Sequence, residues 1–116
     1  MACRPCAPPS SPFGAPVTIR HVVAWKLNAV DSVQHAEHRE QIAKALLDLL
    51  PLIPEIESMS VGKNSLFPKD NFDLVLIADY PDVEALNTYI EHPEHRRVAG
   101  FIRSLVRERA CVDFEL

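Results

Sequence analysis

Apolar and polar residues alternate strictly from position 17 to 27. Ile19, His21, Val23, Trp25 and Leu27 fall on one side, and Thr18, Arg20, Val22, Ala24 and Lys26 on the other. A period of two in a β-branched stretch predicts a strand over 17–27. The period then changes. Ile42, Leu46, Leu49 and Ile53 recur at three- and four-residue intervals, which predicts a helix over 31–50. Asp31 is placed to cap it, with Gln34 reaching back in a capping-box pattern, and Pro51 and Pro54 stop it. A weaker strand is expected over 56–62. A polar loop follows over 63–71, broken by Pro68. The most apolar strand is expected over 72–80. Pro81-Asp82 marks a turn, and Asp82 caps a short helix over 83–91. Pro93 breaks that helix, and another follows over 94–106. Alternation returns over 109–115. No internal repeat is present.

Strand, helix, strand, strand, helix, strand is the ferredoxin-like order. It predicts an α+β domain with one antiparallel four-stranded sheet. Two helical regions cover only one face of such a sheet. Yet Val22, Ala24, Val75 and Ile77 make the second face apolar as well, where a wetted antiparallel sheet would turn polar. A bare patch of that kind exceeds what monomers usually expose. A second copy packed sheet against sheet is the expected cover, so the chain is predicted to be a homodimer.

Composition narrows the partners. The chain has 116 residues, and its 24% charged and 47% hydrophobic residues suit one globular domain. A net charge of −4 speaks against nucleic acid. No apolar run is long enough to span a membrane. Residues 1–16 hold five of the ten prolines and no acid. They lack the apolar core of a secretory signal and are expected to form a disordered tail, leaving 17–116 as the folded domain. Cys3 and Cys6 form a lone CxxC there, without the further ligands of a zinc site or the strand–helix setting of a redox motif. Cys111 lies in an apolar run and is expected in the core. Three cysteines with no disulfide framework fit a reducing, cytoplasmic setting. No metal and no cofactor is expected.

Candidate chemistry lies with the histidines. His35 and His38 sit among Gln34, Glu37, Arg39 and Glu40, and are expected on a solvated helix face. His21 is different, because its face neighbours are Ile19 and Val23, so it points into apolar surroundings. His95 heads the stripe His95, Val98, Ile102 and Leu105, which is expected to face inward. Tyr89 shares a helix face with Leu86 and also leans inward. An imidazole beside a phenol can form a general acid–base pair near neutral pH, and can equally cap and pack helices.

Several segments act together here: Ile19-Arg20-His21-Val22-Val23, Pro54-Glu55-Ile56 with Val61-Gly62-Lys63-Asn64, Phe72-Asp73-Leu74-Val75-Leu76, Tyr89-x-x-His92-Pro93-x-His95 and Val112-Asp113-Phe114. Over 17–116 they resemble the stress-responsive α/β-barrel, or Dabb, family. The resemblance implies a ferredoxin-like protomer whose sheet pairs with another to form a dimeric barrel. Many members have no assigned activity. One member type, the plant cyclase that forms olivetolic acid, closes a linear polyketide by aldol condensation without a cofactor. By that resemblance His95 would be the base, Tyr89 its assistant and His21 a residue lining the site. Trp25 and Phe72 are expected on the barrel wall with Tyr80, and His92 beside them as a ligand contact. Leu46 stands where the cyclase has a further pocket tyrosine. Three readings follow. The first is a dimeric barrel whose lumen binds a small aromatic or polyketide-like molecule, or simply packs. The second is a cyclase-like lyase. The third is a cofactor-free monooxygenase, as found on related barrels.

Overall fold

A computed structural model describes residues 17–116. The proline-rich start, with Cys3 and Cys6, lies outside the described residues. The elements run β1 Ile19–Leu27, α1 Ser32–Leu47, β2 Ser58–Lys63, β3 Leu74–Tyr80, α2 Val83–Glu91, α3 Pro93–Arg103 and β4 Val106–Glu115. β1 lies antiparallel to β3 on one side and to β4 on the other, while β2 pairs with β3. The sheet order is β2-β3-β1-β4, the antiparallel ferredoxin-like arrangement expected from the element order.

Local chemistry explains the boundaries. Asp31 caps α1 by accepting from the Gln34 amide at 2.8 Å, and Gln34 Oε1 reaches back to the Val30 amide at 2.9 Å. α1 ends three residues before the expected position. Leu49, Leu50 and Leu52 instead donate to carbonyls three residues earlier, tight turns that lead into and past Pro51. Asp82 caps α2, accepting from Ala85 at 2.8 Å. His92 ends α2 and also caps α3, with φ −63° and ψ 135°. Pro93 disfavours helical geometry for the residue before it, yet fits the first turn of a helix itself. One proline thus separates two helices and starts the second. α3 stops at Arg103, and β4 begins at Val106, three residues before the alternation becomes visible in the sequence.

The core lies between the sheet and the helices. Ile42, Leu49 and Ile53 from α1 and the turn after it are fully buried, and pack with Val23, Trp25, Leu74 and Leu76 of the sheet. Each such side chain contributes roughly 1.5–3 kcal/mol by leaving water. β1 is buried at every second residue from Ile19 to Leu27, which is the predicted face. The opposite face carries Val22, Ala24, Val75 and Ile77, joined by Val112 and Phe114 of β4. Val112 is 60% exposed and Phe114 42%. Arg20 of β1 and Asp79 of β3 form a two-pronged ion pair at 2.8 and 2.9 Å on this face. The guanidinium holds the Asp79 carboxyl below its ordinary range.

Two expectations need correction here. Cys111 is exposed, because β4 is an edge strand that the helices leave largely uncovered. The His35–His38 face is not simply solvated. His35 Nε2 lies 3.1 Å from Asp73 Oδ1, and His38 Nδ1 is buried without a hydrogen-bond partner. Among the described residues, no helix is long and apolar enough to cross a membrane.

Candidate functional site

A cavity of about 340 Å³ lies between the sheet and α3. Val23, Trp25 and Leu76 form its sheet wall, and Val98 and Ile102 its α3 wall. Leu46 of α1 adds a further apolar contact. The polar groups are His21, Tyr89, His95, Arg103 and Arg109. An apolar chamber of this size with a few convergent polar groups is the usual form of a small-molecule site.

Each polar group is held by the element that carries it. His95 sits in the first turn of α3. Its Nδ1 lies 2.9 Å from the Ile90 carbonyl oxygen. A carbonyl can only accept, so Nδ1 carries the hydrogen and Nε2 keeps a free lone pair. Burial holds the imidazole pKa below its usual value. The Ile90 carbonyl opposes that shift, and His21, Arg109 and His92 add to it. His95 is therefore a neutral base at neutral pH. Tyr89, the last buried residue of α2, has its ring 4.4 Å from the His95 ring. Burial pushes its phenol up to about 12, against the pull of Tyr80 and Arg109. The hydroxyl thus stays protonated and can donate. The ring of Tyr80 lies 5.1 Å from that of Tyr89. Its hydroxyl is buried without a well-formed hydrogen bond, and burial raises its pKa strongly.

His21 is 4% exposed. Its Nδ1 lies 2.5 Å from Asp113 Oδ1. The strand register brings them together, because His21 pairs directly with Asp113 across the β1–β4 ladder. Directly opposed residues share a face. Trp25 with Arg109 and Val23 with Cys111 follow the same rule. A carboxylate on Nδ1 fixes the ring and its tautomer, leaving Nε2 as the other working nitrogen. Arg103 and Arg109 make no ion pair among the described residues, and both line the chamber beside its histidines and tyrosine.

The sequence model of the stress-responsive A/B barrel domain family, Dabb, matches residues 19–116. The chain is a Dabb protein. Among curated proteins, none matches it by sequence. Solved structures similar to this Dabb chain include a dimeric ferredoxin-like protein of unknown function from Bacteroides fragilis. It has 25% identity and a TM-score of 0.76, with 85% of this chain and 96% of that one covered. A dimeric ferredoxin-like protein of unknown function from Thermobifida fusca also has 25% identity and a TM-score of 0.76, covering 92% and 98%. The hydroxynitrile lyase of Passiflora edulis shares the fold at 17% identity and a TM-score of 0.74, covering 87% and 94%.

Of the residues singled out from the sequence, His21, Tyr89, His95 and Trp25 meet at this cavity. His92 and Phe72 do not line it. His92 is occupied as a helix cap, its Nδ1 accepting from Glu94 at 3.1 Å. Phe72 precedes β3 and lies under the Lys26 ammonium, 5.7 Å from its ring centre. The expected location also changes. The histidine face of β1 is the helix-covered face, so this cavity lies inside one protomer rather than on the open sheet face. Sequence reasoning missed Asp113 and Arg109 as site residues. Their signal is the alternation Arg109, Cys111, Asp113 in β4, which becomes informative only once the pairing register with β1 is known.

Proposed function

We propose that this Dabb chain works as a homodimer whose protomers each bind an amphipathic carbonyl compound and move a proton at the carbon next to the carbonyl. The observation that carries this reading is the His95–Tyr89 pair at the cavity wall. It comprises a neutral imidazole with its Nε2 free and a protonated phenol beside it. Nε2 takes the proton, the C–H electron pair passes into an enolate, and the Tyr89 O–H stabilises the enolate oxygen. The proton then returns to carbon, or the enolate attacks a second carbonyl of the same molecule, which is the aldol cyclisation of the family resemblance. Arg109 supplies positive potential towards the developing anion. Trp25, Val98 and Leu46 favour an apolar or aromatic body. Leu46 supplies no hydroxyl, so a ligand held on that side by hydrogen bonding is disfavoured relative to one held by apolar contact.

The dimer rests on the open face of Val22, Ile77, Val112 and Phe114, and on the dimeric state of the two bacterial relatives. The free Cys111 thiol fits a reducing, cytoplasmic setting.

Hydrogen–deuterium exchange of 4-phenylbutan-2-one, followed by proton NMR in deuterated buffer, tests the reading. The protein should accelerate exchange beside the carbonyl beyond an equal concentration of imidazole. His95→Gln should remove about a hundredfold or more of that rate while circular dichroism stays native. Exchange no faster than with imidazole, or equal exchange in the folded His95→Gln chain, overturns the assignment.

A further inference from the structure

His21, Cys111 and Asp113 form a second constellation beside the cavity, and the acid–base reading does not account for its thiol. Their ligating atoms all lie within 4.8 Å of one another. Cys111 Sγ is 3.8 Å from His21 Nδ1 and 3.8 Å from Asp113 Oδ2. The register explains the grouping. Cys111 and Asp113 are two apart in β4 and therefore share a face, and both lie opposite the His21–Val23 side of β1.

The first chemistry to consider for such a trio is a nucleophile relay. The geometry opposes it. In a relay the imidazole serves the carboxylate with one nitrogen and the thiol with the other. Here both approach the same nitrogen, Nδ1. Three donors converging on one point is instead the arrangement of a metal site. A tetrahedral zinc with its usual bond lengths holds nitrogen, sulfur and oxygen donors about 3.3–3.6 Å apart. The two sulfur separations already approach that spacing. Only the 2.5 Å His21–Asp113 contact must open, which is expected when a cation replaces the proton between them.

We propose that His21 Nδ1, Cys111 Sγ and an Asp113 carboxylate oxygen bind one zinc ion. Imidazole, thiolate and carboxylate select a borderline-soft ion over magnesium or calcium, which require all-oxygen sites. The thiolate and carboxylate balance the charge of the divalent ion, so the neighbouring Arg109 guanidinium faces a neutral unit. Cys111 is exposed and Asp113 is 43% exposed, which gives the ion a path of entry and leaves room for a water as fourth ligand. The site is independent of His95 and Tyr89, so it stands whether or not the cavity performs proton transfer. Occupancy would lock His21 with its Nε2–H as a fixed donor at the cavity wall.

The test uses the full chain carrying Cys3→Ser and Cys6→Ser, so that Cys111 is the one thiol left. Cobalt(II) serves as the spectroscopic probe and zinc as the competitor. The expected result is one equivalent of cobalt, with a thiolate-to-cobalt charge-transfer band that zinc abolishes. Adding Cys111→Ser should remove the band and weaken zinc binding by at least about tenfold, since even outer-shell changes cost that much. Zinc should also protect Cys111 from alkylation by iodoacetamide in the parent chain, a readout that needs no Cys111 variant. Absence of the charge-transfer band, zinc affinity unaltered by Cys111→Ser, or undiminished alkylation under saturating zinc each overturns the proposal.

Discussion

The Ile90 carbonyl decides what His95 can do. By accepting from Nδ1 it leaves Nε2 as the ring's sole lone pair, and the half-buried setting keeps that nitrogen unprotonated. The sign of the pH effect follows. Burial holds the His95 pKa below its ordinary value, so the base proposed for the reaction persists into mildly acidic solution. The acidic limb of ketone exchange, measured as kcat/KM against pH, should therefore fall below the ordinary imidazole value of about 6.5. A limb above that value would show that another group is titrating. Tyr89→Phe keeps the ring against His95 and removes only the donor. It should slow exchange by about tenfold to a hundredfold with little change in folding, measured by exchange rate and thermal melting. The inward lean of His95 and Tyr89 was legible in the sequence from their spacing beside Val98, Ile102 and Leu86. Asp113 and Arg109 were not, because a cross-strand contact between residues 21 and 113 depends on how β4 pairs with β1, and alternation within one strand does not name its partner across the ladder.

At the scale of elements, the chain bends between α2 and α3 at His92-Pro93, where one residue caps both helices. The bend sets Tyr89 at the end of one helix against His95 in the first turn of the next. Capping should matter to stability and little to chemistry. Asp82→Ala removes the acceptor for the Ala85 amide and should cost about 1 kcal/mol in urea unfolding, with exchange per folded molecule unchanged. All seven elements were legible, because each carries its own period and punctuation. Their ends were less so. β4 starts before its alternation becomes visible because Val106-Arg107-Glu108 continues the polarity of a helix end, and pairing with β1 decides its conformation. α1 ends before its apolar spacing does, because Leu49 and Ile53 keep the helical spacing through turns that are no longer α-helical.

At the scale of the whole molecule, the sheet has two apolar faces with different tasks. The helix-covered face holds the cavity, and the open face is assigned to the partner. That the open face required cover was legible from Val22, Ala24, Val75 and Ile77. Which face carried His21 relative to the helices was not, since alternation separates two faces without saying which one the helices take. Val112→Lys puts a charge at the open face, where the side chain is 60% exposed. Sedimentation should then shift from about twice the monomer mass to the monomer mass of 13.0 kDa, and a dimer that persists unchanged would move the interface elsewhere. The most direct test of this division is an NMR titration of the isotope-labelled dimer with 4-phenylbutan-2-one. The account predicts that saturable shifts cluster on Trp25, Tyr89, His95 and Val98, with Val112 and Phe114 unmoved. Shifts confined to Val22, Ile77, Val112 and Phe114, or none at all, would contradict it.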